Sequence, residues 1–290
     1  ALPISELAAN GGAPMTRYAN FDDPASRQEL VRFFRFLQRH DDVYHANTMA
    51  AEALLLYPRS QLHQGRFTDA MSAFYAAGNR LLDDHVLFDV IPDDIVTPAQ
   101  LARYRRVYTI SSLQQLDAET YDGLSRFQAP ATVRVSASNP AQGGAWDIHF
   151  VNYNRKEPAG KPTGFIADES PIPVSGVQAD LVVPQGFRVD RIEWIAPESP
   201  DPKPVDAALS GSRARFTAPE FLVYAVARVY LKAGGSSSPP AKSALGPQRS
   251  AVRASLPPAA DPIESCYKTA CEHTHGITAN YREDIRAARR

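Results

Sequence analysis

Apolar residues in the first half of the chain follow two alternating patterns, helical spacing and short unbroken runs. Asp23 stands at an N-cap position and Pro24 at a first helical position. Leu30, Phe33, Phe34 and Leu37 then share one face, which predicts a helix over residues 24–40. Gly11-Gly12 upstream permits a turn with positive φ. The runs "ALLLYP", "HVLFDVIP" and "RRVYTIS" have the length of buried strands. Between them, "TDAMSAFYAAGNRLLDD" places Met71, Phe74, Leu81 and Leu82 at helical spacing, with Thr68 as cap. "TPAQLARY" predicts a helical turn starting at Pro98, and "LDAETYDGLSRF" a third helix capped by Asp117. This alternation predicts a small parallel sheet with right-handed crossovers.

From Ala131 onward the period changes to two. "WDIHFVNYN" puts Trp146, Ile148 and Phe150 on one face and Asp147, His149 and Val151 on the other. "ATVRVSASNP", "VQADLVVP", "RVDRIEWIAP", "ARFTAP" and "LVYAVARVYL" read as further strands, and their spacing predicts a β-sandwich. The proline-rich "APESPDPKP" reads as a surface loop. After Leu231, Gly, Ser, Pro and Ala dominate, with too little apolar surface to offset chain entropy, so residues 233–290 are expected to form a disordered tail.

Composition narrows the function classes. A chain of 290 residues holds one large domain or two to three small ones. A formal charge of −1 gives no field to steer it onto nucleic acid or an acidic membrane. No apolar run approaches the roughly 20 residues that span a bilayer. The start, "ALPISELAANGG", lacks a basic leader segment and reads as a chain cut in mid-domain.

Candidate chemistry is sparse. The carboxyl ends of the parallel strands, where such sheets bind ligands, are Pro58-Arg59-Ser60, Pro92-Asp93-Asp94 and Ser111-Ser112. None is a glycine-rich phosphate loop. The α/β stretch has no cysteine and so no thiol nucleophile. Asp83-Asp84 and Asp93-Asp94 fit a helix end and a solvated loop better than an acid/base pair. His40, His45 and His63 lack metal spacing on any one element, and His149 reads as packing or surface. The tail set Cys266, Cys271, His273 and His275 has zinc-ligand residue types, but a free thiol pair is the plainer reading. Trp146 and Trp194, if exposed, would suit a carbohydrate-binding module.

The segments "ELAANGGAPMTRYANF", "FLQRHDDVYHANT", "AEALLLYPRS", "HVLFDVIPDD", "RRVYTISSLQQLDAETYDGLSRF", "DIHFVNYN" and "ARFTAPEFLVYAVARVYL" occur in this order over residues 4–232. Their order resembles the C-terminal part of family-42, β-galactosidase-like glycoside hydrolases. The resemblance implies an α/β plus all-β chain. A barrel remnant (1–48) leads into a small flavodoxin-like, amidotransferase-like parallel sheet (49–130), then a β-sandwich (131–232) and the tail (233–290). It implies a trimerising, non-catalytic portion of a carbohydrate-active enzyme. The two carboxylates that retaining glycosidases hold about 5 Å apart come from barrel strands this sequence does not contain. Arg17, Tyr18 and Asn20 would then stand at the rim of the sugar pocket, binding substrate hydroxyls or serving structure. Expected partners are carbohydrate, through the parent barrel, and further copies of the chain, with no nucleic acid, membrane, cofactor or metal. One departure is that "LSRF" passes into β structure without the family's glycine-rich turn and later strands. The alternative is a free-standing carbohydrate-binding or interaction module.

Overall fold

Helical spacing in the first part of the chain becomes a run of short helices around one parallel sheet. The computed structural model describes residues 2–12, 24–113, 120–156 and 170–234, all within the unit Ala1–Pro239. Helices α1 (Leu2–Ala9), α2 (Pro24–Arg39) and α3 (Asp41–Tyr44) come first. Strands β1 (Thr48–Met49) and β2 (Ala53–Tyr57) follow, then α4 (Arg59–His63), α5 (Phe67–Asp83), β3 (Phe88–Pro92), α6 (Pro98–Leu101) and β4 (Arg106–Tyr108). β2 lies between β3 and β4, parallel to both, in a three-stranded sheet. Ala77 and Leu81 of α5 pack on Ala53 and Leu55 of β2, as the periodicity required. Gly11 has φ +71°, the positive value expected of that turn.

The rest of the described chain is antiparallel β. It comprises β5 (Arg126–Gln128), β6 (Val133–Asn139), β7 (Ala145–Asn152), β8 (Gln178–Val182) and β9 (Phe187–Ala196). Then come β10 (Ser199–Val205), β11 (Ala208–Ser210), β12 (Arg213–Thr217) and β13 (Tyr224–Ala233). A six-stranded sheet, β1-β6-β7-β13-β9-β10, and a four-stranded sheet, β11-β12-β8-β5, share one apolar cluster. Trp146, Ile148 and Phe150 of β7 enter it with Trp194, Leu181 and Phe216. Phe150 and Trp194 rings lie 5.5 Å apart and Trp194 and Phe221 rings 5.8 Å apart. The described fold is therefore mixed and largely β.

The other face of the six-stranded sheet is covered too. Phe33 and Phe36 of α2, with Ile4 and Ala9 of α1, pack on Val151, Ile195, Tyr224 and Val226. Each buried phenylalanine contributes about 2–3 kcal/mol of transfer free energy. Every residue of β7 is buried, because a strand in the middle of a sheet covered on both faces has no solvent side.

Several sequence expectations are corrected. The apolar face of α2 needs no barrel, because the sandwich covers it. The helix expected through "LDAETYDGLSRF" is absent from its described part. Residues 120–124 form a turn with Gly123 at φ +76°, and Arg126–Gln128 pair with β8. "APESPDPKP" is not a free loop: its second half is β10, an edge strand on β9, where proline removes no ladder hydrogen bond. Thr68 does not cap α5, which starts at Phe67 without a side-chain cap. Leu2–Ala9, within the expected barrel remnant, form a helix whose Ile4, Ala8 and Ala9 are buried, and residues 13–23 of that segment lie outside the described residues. Asp23, Asp117 and the tail lie outside the described residues.

A buried carboxylate helps to join the parallel sheet to the sandwich. Glu52, 7% exposed, accepts from Ser125 N at 2.6 Å and Ser125 Oγ at 2.9 Å. Ser125 Oγ in turn accepts from Val182 N of β8 at 2.9 Å. Burial pushes the Glu52 pKa up, and the Ser125 hydrogen bonds oppose that shift.

Candidate functional site

The carboxyl ends of the parallel strands are closed by their own side chains. Arg59 Nε donates to both oxygens of Asp94 at 2.8 and 2.9 Å. This bond holds the Asp94 carboxyl below the usual carboxylate range. Asp93 accepts from Ser60 N at 2.9 Å and from Ser60 Oγ. The pair Asp93-Asp94 thus ties the loop after β3 to the start of α4. Thr109 and Ser112 likewise bond to each other, through Thr109 N to Ser112 Oγ at 2.9 Å. Asp83 and Asp84 pair with Arg134 and Arg80.

A polar network fills the layer between α2, α3 and the six-stranded sheet. β7 alternation aims Asp147 and His149 away from the sandwich core, into this layer. His149 Nε2 lies 2.9 Å from Ser138 Oγ, and Nδ1 lies 2.7 Å from the Tyr224 hydroxyl. Tyr224 meets the Tyr44 hydroxyl at 3.1 Å. Ser138 beside a histidine resembles a nucleophile and its base. Both residues are 0% exposed, however, so no substrate reaches the hydroxyl. Burial drives the His149 pKa down to about 3, which leaves the ring neutral. The set is a structural hydrogen-bond chain.

Beside it stands a charged chain. Arg228, in the middle of β13, pairs with Asp42 of α3 and lies 3.3 Å from Asp147. Asp147 is fully buried, and neither of its oxygens has a hydrogen-bond partner. Burial pushes its pKa up to about 7; Arg228 opposes the shift and Asp42 adds to it. His40 Nε2 meets Pro200 O of β10 at 2.8 Å, and burial lowers its pKa. Arg32 bonds Glu198 at 3.2 Å and Arg39 bonds Asp201, fastening α2 to the β9–β10 hairpin.

Outside these bonds, α2 and the hairpin border an open cleft of about 630 Å3. Gln28, Val31 and Arg35 line it, with Pro197 and Pro200 opposite. Val31 is 39% exposed, although it lies on a helix whose other face is buried. This cleft and the network beneath α2 form the candidate functional site, an interface rather than a reaction centre.

The fold is similar to that of an α-L-fucosidase. Alpha-L-fucosidase isoenzyme 2 from Paenibacillus thiaminolyticus matches 79% of this chain at TM-score 0.52 and 12% identity. The chain spans 56% of that enzyme's length. A rhamnosidase from Novosphingobium sp. PP1Y matches 63% of this chain and 15% of its own, at 17% identity and TM-score 0.27. A cycloisomaltooligosaccharide glucanotransferase from Paenibacillus sp. matches 53% of this chain and 26% of its own, at 10% identity and TM-score 0.28. The last two scores are too low to support an argument. No family model and no curated protein sequence matches the chain. The likeness establishes a glycoside hydrolase-like fold.

The structure sorts the residues singled out in the sequence. Arg17, Tyr18 and Asn20 lie outside the described residues, as do Cys266, Cys271, His273 and His275. Trp146 and Trp194 are 4% and 3% exposed, inside the core, and offer no stacking platform to a sugar. His40 joins the candidate interface, whereas His63 ends α4 in solvent. Sequence reasoning missed Glu52, Asp42 and Arg228. A signal for Arg228 was present: an arginine flanked by the apolar run Tyr224–Leu231 must have a buried partner or an open face.

Proposed function

We propose that this chain is the non-catalytic accessory portion of a glycoside hydrolase, in which helix α2 is a strut between the sandwich and a catalytic domain. The observation that carries this reading is the two-sided character of α2. Its inner face is sealed onto the sandwich by Phe33 and Phe36. Its outer face, with Gln28, Val31 and Arg35, borders a cleft that a second domain would fill. The fucosidase-like fold supports a carbohydrate-active parent, and the segment order resembles the β-galactosidase-like family.

Among the described residues, Glu29 and Glu198 share the Arg32 guanidinium beside the α2 cleft, and Asp180 and Asp206 line the cleft on the four-stranded sheet, where Arg213 and Arg215 hold Asp180. Asp147 is sealed in the network, Glu52 is sealed at the junction, and the strand-end aspartates are tied to Arg59 and Ser60. Substrate binding at Arg17, Tyr18 and Asn20 would belong to the parent's sugar pocket. The parallel sheet would serve assembly, as in the resembled flavodoxin-like trimerisation domains. β3 is an edge strand with Val90 46% exposed, and α5 carries Phe67 and Tyr75 at 64% and 61% exposed.

Light scattering after size-exclusion chromatography at micromolar concentration tests the assembly role. A discrete oligomer, a trimer for a sheet-mediated ring, is expected. A clean monomer would remove oligomerisation from the function.

A further inference from the structure

The outward face of the four-stranded sheet carries a grid of polar side chains. Phe127, Ala179, Leu181, Ala214 and Phe216 enter the sandwich core, so the residues between them point away from it. Strand register aligns these in two rows. Arg126 stands beside Asp180, and Asp180 beside Arg215. Gln128 stands beside Gln178, and Gln178 beside Thr217. Together they line an open cleft of about 650 Å3. Asp180 binds Arg215 Nε at 3.1 Å and Arg213 Nε at 2.6 Å. Gln128, Gln178 and Thr217 make no side-chain hydrogen bond to another described residue.

We propose that this face binds a neutral pyranose oligosaccharide. Neighbouring strands lie about 4.8 Å apart, and side chains on one face recur about every 7 Å along a strand. One cell of the grid is therefore the size of a sugar ring, with a polar group at each corner. The amides supply donors and acceptors together, which a hydroxyl needs because it is both. The Arg215 guanidinium adds further donors. Charge selects the class of ligand. Arg126, Arg213 and Arg215 are balanced by Asp122, Asp180 and Asp206 around the cleft. A nucleic acid or an anionic glycan thus finds no net attraction, and a neutral sugar pays no penalty. Both tryptophans are in the core, so affinity rests on hydrogen bonds to the grid. This sheet is the one opposite helix α2, so losing sugar binding here would leave the strut role untouched.

The test is titration calorimetry and saturation-transfer NMR on the whole chain with neutral gluco-, galacto-, manno-, xylo- and fuco-oligosaccharides. At least one should bind with a dissociation constant of about 1 mM, the strength of a few solvent-facing hydrogen bonds. The double variant Gln128→Ala/Gln178→Ala should weaken it about tenfold while leaving circular dichroism unchanged. Thr217→Val should weaken it in the same direction, and Arg35→Ala in the α2 cleft should leave it unchanged. Failure of every neutral glycan to bind would overturn the proposal. So would binding that the double variant and Thr217→Val leave intact, or binding of anionic polymers alone.

Discussion

Replacing Asp147 by asparagine tests which force governs the layer beneath helices α2 and α3. Asp147 faces a contest between desolvation, which favours the neutral acid, and the Arg228 charge, which favours the carboxylate. Three observations favour desolvation. The side chain is fully buried, neither oxygen has a hydrogen-bond partner, and Arg228 makes its close bond to Asp42 instead. The folded state then holds a proton that the unfolded state releases, since the pKa rises from 3.8 to about 7. The resulting stability is present in full below pH 3.8 and is lost as pH rises through about 7. An interval of about three pH units, at about 1.4 kcal/mol each, sets the loss at about 4 kcal/mol. The amide side chain introduced by Asp147→Asn does not titrate, and every other ionisable group is common to both proteins. Urea unfolding of wild type and Asp147→Asn from pH 4 to pH 8 isolates the contribution as a difference. Wild type should lose about 4 kcal/mol relative to the variant across that range, with the loss levelling off above about pH 7. If wild type instead gains on the variant over that range, Arg228 wins and Asp147 is an ionised partner.

Three further outcomes are expected. Phe36→Ala should cost about 3–5 kcal/mol in denaturant unfolding, since Phe36 is 2% exposed and meets Tyr224 edge-on at 6.0 Å; a loss under about 1 kcal/mol would mean that α2 is not held by the sandwich. Glu52→Ala should cost about 2–4 kcal/mol, because Ser125 N and Oγ lose their buried acceptor, and Glu52→Gln should recover part of it. Arg39→Ala should change thermal stability by less than about 1 kcal/mol, because Arg39 and Asp201 side chains are 50% and 78% exposed.

The sequence made the elements legible where a single periodicity decided them. "ALLLY" and the Phe33–Phe36 helix are apolar in ways only one structure satisfies. Alternation in β7 correctly divided Trp146, Ile148 and Phe150 from Asp147, His149 and Val151. What it could not show was that a helix would cover the second face, which turns polar residues from surface groups into a buried network. That depends on contacts between Phe36 and Tyr224, 188 positions apart, with no local trace. "APESPDPKP" misled because proline signals a loop locally, whereas an edge strand tolerates it. The candidate interface was legible only as an amphipathic helix in need of a partner; the wrong partner was inferred, because the sandwich lies far downstream. Glu52 and Ser125 gave no pattern at all, since a junction between sheets has no period.

Release of nitrophenol from nitrophenyl α-L-fucoside and β-D-galactoside by the purified chain, at high protein concentration, tests the central claim most directly. The account predicts no release above a mock-purified control, because the cleft carboxylates Glu29 and Asp180 are each bound to arginine. Turnover well above that control would contradict it and make this chain an enzyme in its own right.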